Sequence, residues 1–357
     1  MRVAIVAPLY ESVPPRLYGG TERVVSYLTE ELVAQGHEVT LFATADSRTR
    51  ARLRPMAPQG LRLDPGCRDA MAYHLVMLDH VFEAAREFDI VHFHLDYLQL
   101  PLARRLPVPS LTTMHSRLDL PELQMVHRRF TELPLVSISE AQRRPMAWAN
   151  WLATVHHGLP PQLYPFGARP GSYLAFLGRI SPEKRPDRAI RLARAVGIPL
   201  KIAAKIEKLD QQYFEEVIRP MLNGPGVEFV GEIGEAEKRR FLGDALALLF
   251  PIDWPEPFGL VMIEAMACGT PVLAWRCGSV PEIMVNGVTG FVVDDERGAA
   301  AAIGRIGTLD RAACRRVFEE RFSAQRMARE YLSVYRRLLE PPEPRASRMD
   351  EQEAGRL

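Results

Sequence analysis

The 357-residue chain is long enough for about two domains, and its hydrophobic content of 47% indicates a globular protein with a substantial core. A formal net charge of +1 gives no indication of a nucleic-acid partner. The four cysteines lack the CxxC or His/Cys spacing of a metal site, so we expect reduced thiols in a cytoplasmic protein. The apolar start over residues 1–7 is too short for a signal peptide, and no apolar run is long enough to span a bilayer.

The first half begins with one unit of a doubly wound α/β fold. A strand over 3–7 is followed by a Pro-rich loop, a helix over 21–35 and a strand over 37–43. The loop lacks GxGxxG, which weakens a dehydrogenase-type dinucleotide fold. Gly19 and Gly20 precede the helix and permit close backbone approach to an anion or a sugar, although a plain flexible loop has the same composition.

Residues 46–66 form a polar, basic segment that contains prolines and several arginines. We interpret this segment as a solvated surface. Contact with an acidic membrane or acceptor is the alternative, which so short a cluster supports only weakly.

Three polar side chains follow predicted strands in the first half. His94 and Asp96 come at the end of a strand over 90–94, and His115 follows a strand over 110–114. Ligands of open α/β sheets bind at the carboxyl ends of the strands, so we expect His94 and Asp96 to contact a ligand, which would be the acceptor in a transferase. His115 can hydrogen-bond a sugar hydroxyl or lend charge to a reaction, and a hydrogen-bonded loop histidine is the alternative.

Residues 159–171 are rich in proline and glycine and have little periodicity, so we predict an interdomain linker there. The alternation then restarts, with strands predicted over 173–177, 200–204, 227–230, 245–250, 271–274 and 290–293, and helices over 186–196, 209–223, 236–243 and 323–339. Two such halves place a cleft between their facing strand ends. Residues 341–357, rich in Pro, Glu and Arg, are predicted to be a disordered tail.

The segment 250–275 joins a buried strand, a Pro-rich loop, a helix and another strand. Glu256 lies in the loop, the helix opens near Phe258, and Glu264 falls in its second turn. Because helical side chains lean toward the helix N-terminus, Glu264 can reach back to the open end of its own helix. The unpaired amides at that end suit a diphosphate and belong to about Gly259, Leu260 and Val261. A carboxylate beside an anion site fits a ligand with both phosphates and hydroxyls, such as a nucleotide sugar.

Two cations follow the first strand of the second half. Arg179 can grip a phosphate in a planar fork, and Lys184 adds a point charge in the same loop. Together with the helix N-terminus they can neutralise a departing diphosphate without a metal. The sequence contains no Asp-x-Asp, the pattern with which metal-dependent transferases often hold a divalent ion. Surface charges near a helix start are the alternative for either residue alone.

Motifs in both halves carry a family resemblance. In the second half they are Gly178-Arg-Ile-Ser-Pro-Glu-Lys184, Glu256-Pro-Phe-Gly-Leu-Val-Met-Ile-Glu264 and Gly290-Phe-Val292, and in the first half Tyr18-Gly-Gly-Thr-Glu-Arg-Val-Val25 and Gly36-His-Glu-Val39. Together they resemble the retaining glycosyltransferases of family 4, whose E-x7-E motif is matched by Glu256 and Glu264. They look most like the branch that includes the avilamycin-pathway glycosyltransferase. The resemblance covers residues 1 to about 340.

The resemblance implies the GT-B architecture, an α/β fold in which two Rossmann-like, doubly wound domains face a central cleft. It implies an acceptor-binding domain over residues 1–165 and a nucleotide-sugar-binding domain over 166–322. It also implies that a C-terminal helix over 323–340 crosses back to the first domain.

The resemblance further assigns roles to residues of this chain. It implies that Arg179 and Lys184 contact the diphosphate, that Glu256 holds the transferred sugar and that Glu264 accepts from the ribose hydroxyls. His115 matches a histidine near the reacting carbon. The remaining donor-site positions that it implies are Gly19, Gly20, Gly231, Glu232, Phe258, Gly259, Leu260 and Val261.

The chain departs from the family pattern at three places. Residues 203–205, Ala-Ala-Lys, replace a glycine-rich turn where the family contacts the nucleobase. His157-Gly158 stands where Asn-Gly is often found near the end of the first domain. Arg185-Pro186 replaces the glycine after the motif lysine, which changes how the next helix begins.

The sequence therefore predicts a retaining glycosyltransferase that needs no metal or other cofactor. It would move a sugar from a nucleotide-diphosphate donor to a hydroxyl of a small molecule, glycan or lipid. UDP-glucose is the favoured donor and GDP-mannose the second. Alternatives are a nucleotide-sugar epimerase or a phosphorylase on the same architecture, and a non-catalytic nucleotide-sugar-binding protein.

Overall fold

The computed structural model describes residues 1–17, 19–169 and 171–340, and the predicted tail over 341–357 lies outside these described residues. The first half contributes seven strands, β1 (Arg2–Val6), β2 (Glu38–Thr44), β3 (Arg52–Ala57), β4 (Ile90–Phe93), β5 (Ser110–Thr113), β6 (Leu135–Ser137) and β7 (Trp151–Thr154). They form one parallel sheet in the order β3-β2-β1-β4-β5-β6-β7.

The second half contributes a six-stranded sheet. Its strands are β8 (Tyr173–Arg179), β9 (Leu200–Lys205), β10 (Val227–Gly231), β11 (Ala245–Phe250), β12 (Val272–Trp275) and β13 (Gly290–Val293). They pair in parallel in the order β10-β9-β8-β11-β12-β13. Two doubly wound parallel sheets are the GT-B architecture, so the predicted fold class is confirmed.

Helices connect successive strands on both faces of the sheets. Those of the first half are α1 (Gly20–Ala34), α2 (Ala70–Ala84), α3 (Leu100–Ala103), α4 (Pro121–Arg129) and α5 (Glu140–Arg143). Those of the second half are α6 (Pro186–Val196), α7 (Gln211–Tyr213), α8 (Arg219–Leu222), α9 (Glu235–Gly243), α10 (Leu260–Ala267), α11 (Val280–Ile283), α12 (Glu296–Ile303), α13 (Arg311–Arg321) and α14 (Ala324–Leu339). None of the helices in the described ranges is long and apolar enough to cross a membrane.

The central strands are buried on both faces, as their unbroken apolar sequences predict. Val3, Ala4, Ile5 and Val6 of β1 have no exposed surface. Parallel strands with helices on both sides lack a solvent-facing side and therefore do not alternate with polar residues. The polar side chains that matter for function consequently lie where the strands end.

Helix α14 returns from the second half and packs against α1 of the first half. Its Tyr335 hydroxyl lies 2.7 Å from Nδ1 of His92, and its Tyr331 hydroxyl lies 2.9 Å from the Thr113 hydroxyl. Just before the helix, the Leu159 amide donates to the Phe322 carbonyl at 2.8 Å. These contacts tie the end of the second half to the sheet of the first. The division of acceptor and donor binding between the halves stays a prediction.

Three local features differ from the sequence predictions. The basic segment 46–66 contains the edge strand β3, where the Arg54 guanidinium lies over the Phe42 ring at 5.5 Å and covers it. The helix predicted over 209–223 is interrupted by a π-helical stretch, Phe214–Ile218, shortly before Pro220, which lacks an N–H for a regular helical bond. The apolar periodicity does not predict α4, α12 or α13; in α13 only a narrow stripe is buried.

Candidate active site

The strand ends of the two sheets meet at a cavity of about 720 Å³ that both halves line. Of the predicted site residues it brings together Gly19, Gly20, His94, Asp96, His115, Arg179, Lys184, Glu232, Glu256, Phe258, Gly259, Leu260, Val261 and Glu264. Gly231, at the end of β10 with a φ of 77°, is not among the lining residues, although the next residue, Glu232, is.

Two helix N-termini face each other across this cavity. Helix α10 begins at Leu260, slightly later than the predicted start near Phe258, and is preceded by Gly259 in the left-handed region at φ 80°. A Cβ on Gly259 would lie 2.8 Å from the end of Met262, so both conformation and space favour glycine there. A Cβ on Gly20, at the start of α1, would lie 3.6 Å from the Leu260 side chain. Unpaired amides at helix N-termini can bind an anion.

Glu256 is held in the loop before α10 by three contacts. Its carboxylate forms an ion pair with the Lys184 ammonium and accepts a hydrogen bond from the Trp254 indole at 2.9 Å. The Glu256 carbonyl accepts from the Ser279 amide at 3.0 Å, and a Cβ on Gly278 would lie 2.4 Å from the Glu256 backbone. The loop is thus packed against the chain after β12, which fixes the carboxylate at the cavity wall.

Arg179 lies at the end of β8 and is paired within its own half. Its guanidinium donates to Glu183 at 2.7 Å and lies 3.7 Å from Asp210. Both predicted phosphate-binding cations, Arg179 and Lys184, therefore have carboxylate partners. A bound diphosphate would compete with these partners for charge-assisted hydrogen bonds.

Glu264 is the centre of a buried polar network that joins the two halves. Its carboxylate is 2.7 Å from the Lys238 ammonium and accepts from the Tyr164 hydroxyl at 3.1 Å. The same hydroxyl proton is shared with the carboxylate of Glu235, which forms an ion pair with Arg23 of α1. Burial alone would raise the pKa of Glu235, but the nearby Lys238 and Arg23 hold it below its usual value. The carboxylate predicted to bind the ribose thus also connects α1, α9 and α10.

His115 is surrounded by other histidines at the strand ends of the first sheet. Its Nε2 lies 2.8 Å from Nδ1 of the buried His94, and the His157 ring stacks on it at 5.4 Å. Its amide donates to Asp96, a residue at φ 54°, at 3.1 Å. Burial lowers the pKa of His115 to about 4 although Asp96 opposes the shift, so the ring is neutral near pH 7. A neutral His115 can hydrogen-bond a sugar hydroxyl but supplies no positive charge to a reaction.

The sequence did not predict several residues that complete the site. Lys238, Tyr164, Glu235 and Arg23 hold Glu264 or its partners, and Trp254 holds Glu256. The close spacing of Glu235 and Lys238 on α9 is a weak signal that any solvated helix can give. Among the described residues, no group of three or more His, Cys, Asp and Glu side chains has the arrangement of a metal site.

Comparison with known proteins shows the family to which the chain belongs. The Glycosyltransferase Family 4 model matches residues 18–176, and the model of Glycosyl transferases group 1 matches residues 169–311. The chain belongs to the family 4 glycosyltransferases. The family resemblance predicted from the motifs of both halves is therefore confirmed, and the chain is an enzyme.

Relatives of this family 4 glycosyltransferase extend over most of its length. A glycogen synthase of Mycobacterium tuberculosis is 28% identical, covering 92% of this chain and 89% of the relative. A phosphatidyl-myo-inositol mannosyltransferase of Mycolicibacterium smegmatis is also 28% identical, covering 87% and 85%. The crystal structure of AviGT4, a glycosyltransferase involved in avilamycin A biosynthesis, superposes with a TM-score of 0.74 at 26% identity, covering 95% of this chain and 98% of that one.

Proposed function

We propose that this enzyme is a retaining, metal-independent glycosyltransferase that moves a hexose from a nucleotide-diphosphate sugar to a hydroxyl acceptor. The observation that carries the proposal is the cavity wall on which Arg179, Lys184, Glu256 and Glu264 surround the N-terminus of α10. Cations and helix amides of this kind stabilise the charge that a departing nucleoside diphosphate gains.

Each group then has a separate task. The amides of Leu260 and Val261, with Arg179 and Lys184, hold the diphosphate, and Glu264 accepts from the ribose hydroxyls. Glu256 contacts hydroxyls of the transferred hexose. Its ion pair with Lys184 supports this binding role over that of a covalent nucleophile.

Retention follows if the acceptor attacks from the face that the diphosphate leaves. In such a front-face displacement the leaving phosphate oxygen takes the proton of the attacking hydroxyl. The bond from the anomeric carbon to the phosphate oxygen breaks as the bond to the acceptor oxygen forms. His115 is neutral and lines the cavity. It hydrogen-bonds the transferred sugar and holds the anomeric carbon near both the leaving phosphate and the acceptor hydroxyl.

UDP-glucose is the donor we favour, from the family resemblance. A relative is a glycogen synthase, and glycogen is a polymer of glucose. GDP-mannose is second, since another relative is a mannosyltransferase. Residues 203–205 and Glu232 line the cavity and are the candidates for base contacts. A cytoplasmic location fits the four free thiols.

A thermal-shift panel of nucleotide sugars, followed by turnover of the best binder, tests the proposal. The true donor stabilises the folded state by mass action, by about 2.7 kcal/mol at a hundredfold excess over its Kd, and so raises the unfolding midpoint. Lys184→Ala and Glu264→Ala should lose this shift and the turnover. Glu38→Gln, which changes one exposed charge at the opposite end of β2, should keep both. Unchanged turnover in Lys184→Ala and Glu264→Ala would refute the assignment, and sugar interconversion without an acceptor would indicate an epimerase.

A further inference from the structure

We propose that the acceptor is a neutral, hydroxyl-rich molecule, a carbohydrate or polyol without a phosphate near its reacting hydroxyl, bound against Glu22 and Asp96. The inference rests on the proposed transfer to a hydroxyl acceptor and adds its chemical class. It concerns the acceptor wall, which we define as the cavity-lining residues that the first half contributes between positions 8 and 157.

Glu22 is a buried carboxylate at the acceptor wall without a cationic partner. It lies in the first turn of α1, is 5% exposed and lines the cavity. Among the described residues no ion pair includes it, although Arg62 and Arg23 lie near enough to favour its charged form. Burial raises the pKa of Glu22 to about 7, as expected for a carboxylate that no ion pair compensates. Such a group is available to hydroxyl donors of a ligand.

Asp96 is a second carboxylate of the acceptor wall that has only neutral partners. It accepts from the Ser116 hydroxyl at 2.6 Å and from the His115 amide at 3.1 Å. The described residues form no ion pair with it. Its left-handed backbone, at φ 54°, is uncommon for a residue other than glycine and sets the carboxylate beside His115.

Each arginine of the acceptor wall forms an ion pair with one carboxylate, so these pairs add no net positive charge to the wall. Arg23 pairs with Glu235. Arg62 lies 3.2 Å from Glu11, and Arg117 lies 2.6 Å from Asp119.

The histidines of this wall add no positive charge near pH 7. Burial lowers the pKa values of His74, His94, His115 and His157. With the arginines paired, Asp96 and, at pH values above about 7, Glu22 leave a surplus of negative charge on the acceptor wall.

This surplus of negative charge favours neutral acceptors over phosphorylated ones. A phosphate on the acceptor would face two carboxylates that form no ion pair with the described residues, and like charges side by side disfavour binding. Hydroxyls, in contrast, can donate to both carboxylates. Tyr10 and Tyr97 line the same wall, and Tyr97 is 39% exposed, so aromatic faces are available for the C–H faces of a sugar ring.

Matched pairs of acceptors test the inference. Glucose, fructose and myo-inositol are each compared with their monophosphates, using the donor found in the thermal-shift panel and measuring kcat/KM for transfer. For every pair in which at least one member is glycosylated, we expect kcat/KM for the neutral member to be about tenfold or more above that for its monophosphate. Glu22→Gln should lower the ratio of kcat/KM between neutral and phosphorylated members several-fold. Asp96→Asn should have the same effect and serves as the test variant if Glu22→Gln folds poorly. Glu38→Gln is the control that should leave the ratio unchanged.

Equal or better use of the phosphorylated members would overturn the inference. So would a panel in which the enzyme hydrolyses its donor yet glycosylates no neutral member, and that result would leave the proposed transferase function standing. Absence of both donor hydrolysis and donor binding would instead refute the proposed function itself. The acceptor and donor questions are therefore answered by separate readouts.

Discussion

The Lys238 ammonium lies 2.7 Å from the Glu264 carboxylate, and the side chains of the pair are 13% and 4% exposed. Removing one partner of a buried pair leaves an uncompensated charge and typically costs about 3 to 5 kcal/mol. We therefore expect Lys238→Met to lower the free energy of unfolding by about that amount, measured by urea denaturation. The double variant Lys238→Met/Glu264→Gln should recover most of the loss, because no charge is left unpaired.

The same variants separate stability from function. If Glu264 holds the ribose, the double variant should be nearly as stable as the natural chain but should not bind the donor. Donor binding of natural strength in the double variant would show that Glu264 has only a structural role.

Glu22 should make the stability of this enzyme depend on pH. Its pKa is raised from 4.5 to about 7 in the folded chain, so the folded state binds more protons than the unfolded state between these values. Stability from this group is therefore full below about pH 4.5 and is lost as the pH rises through about 7. Glu22→Gln should have little effect at pH 4.5 and should stabilise by about 3 kcal/mol at pH 8. The free energy of unfolding of the natural chain and of Glu22→Gln is measured by urea denaturation at both pH values. An equal difference between the two proteins at pH 4.5 and pH 8 would contradict the raised pKa of Glu22.

His94 should support catalysis through its contact with His115. The two ring nitrogens lie 2.8 Å apart, and His94 is buried behind His115. An asparagine amide can take the place of Nδ1, whereas leucine cannot, so His94→Asn should keep most of kcat and His94→Leu should lose about tenfold or more. Donor binding should change little in both. Equal losses in the two variants, with equal loss of stability, would indicate a purely structural histidine.

Gly158 should be required where α14 crosses back to the first half. A Cβ at this position would lie 2.3 Å from the Ser323 carbonyl oxygen, so Gly158→Ala forces the backbones apart. We expect a loss of about 1 to 3 kcal/mol in the free energy of unfolding. Gly243→Ala is the matched control, since a Cβ there meets nothing within 4 Å. A neutral Gly158→Ala would contradict the described packing.

Local sequence signals predicted much of the second half. The helix α6 has the predicted bounds, Pro186–Val196, because proline favours the first turn and Gly197 ends it in the left-handed region. Glu256 and Glu264 lie at the same cavity because the loop and the helix that carry them are contiguous in sequence.

Other parts of the site depend on residues far apart in the chain. Arg23 and Glu235 are 212 positions apart and meet only when the halves close on each other, so no local pattern announces their ion pair. The strand β3 was missed because an edge strand with alternating arginines resembles a polar loop. Site residues on one element or on contiguous segments are thus more predictable from sequence than site residues that only tertiary packing brings together.

In the proposed reaction the hexose is transferred with retention and without a metal. Proton NMR of the anomeric signal of the first sugar transferred, or released to water, tests it most directly when the reaction contains EDTA. We expect the transferred sugar to have the anomeric configuration of the donor sugar, and we expect EDTA not to change the rate. An inverted anomer, or a reaction that stops with EDTA and resumes with added Mg²⁺, would contradict it.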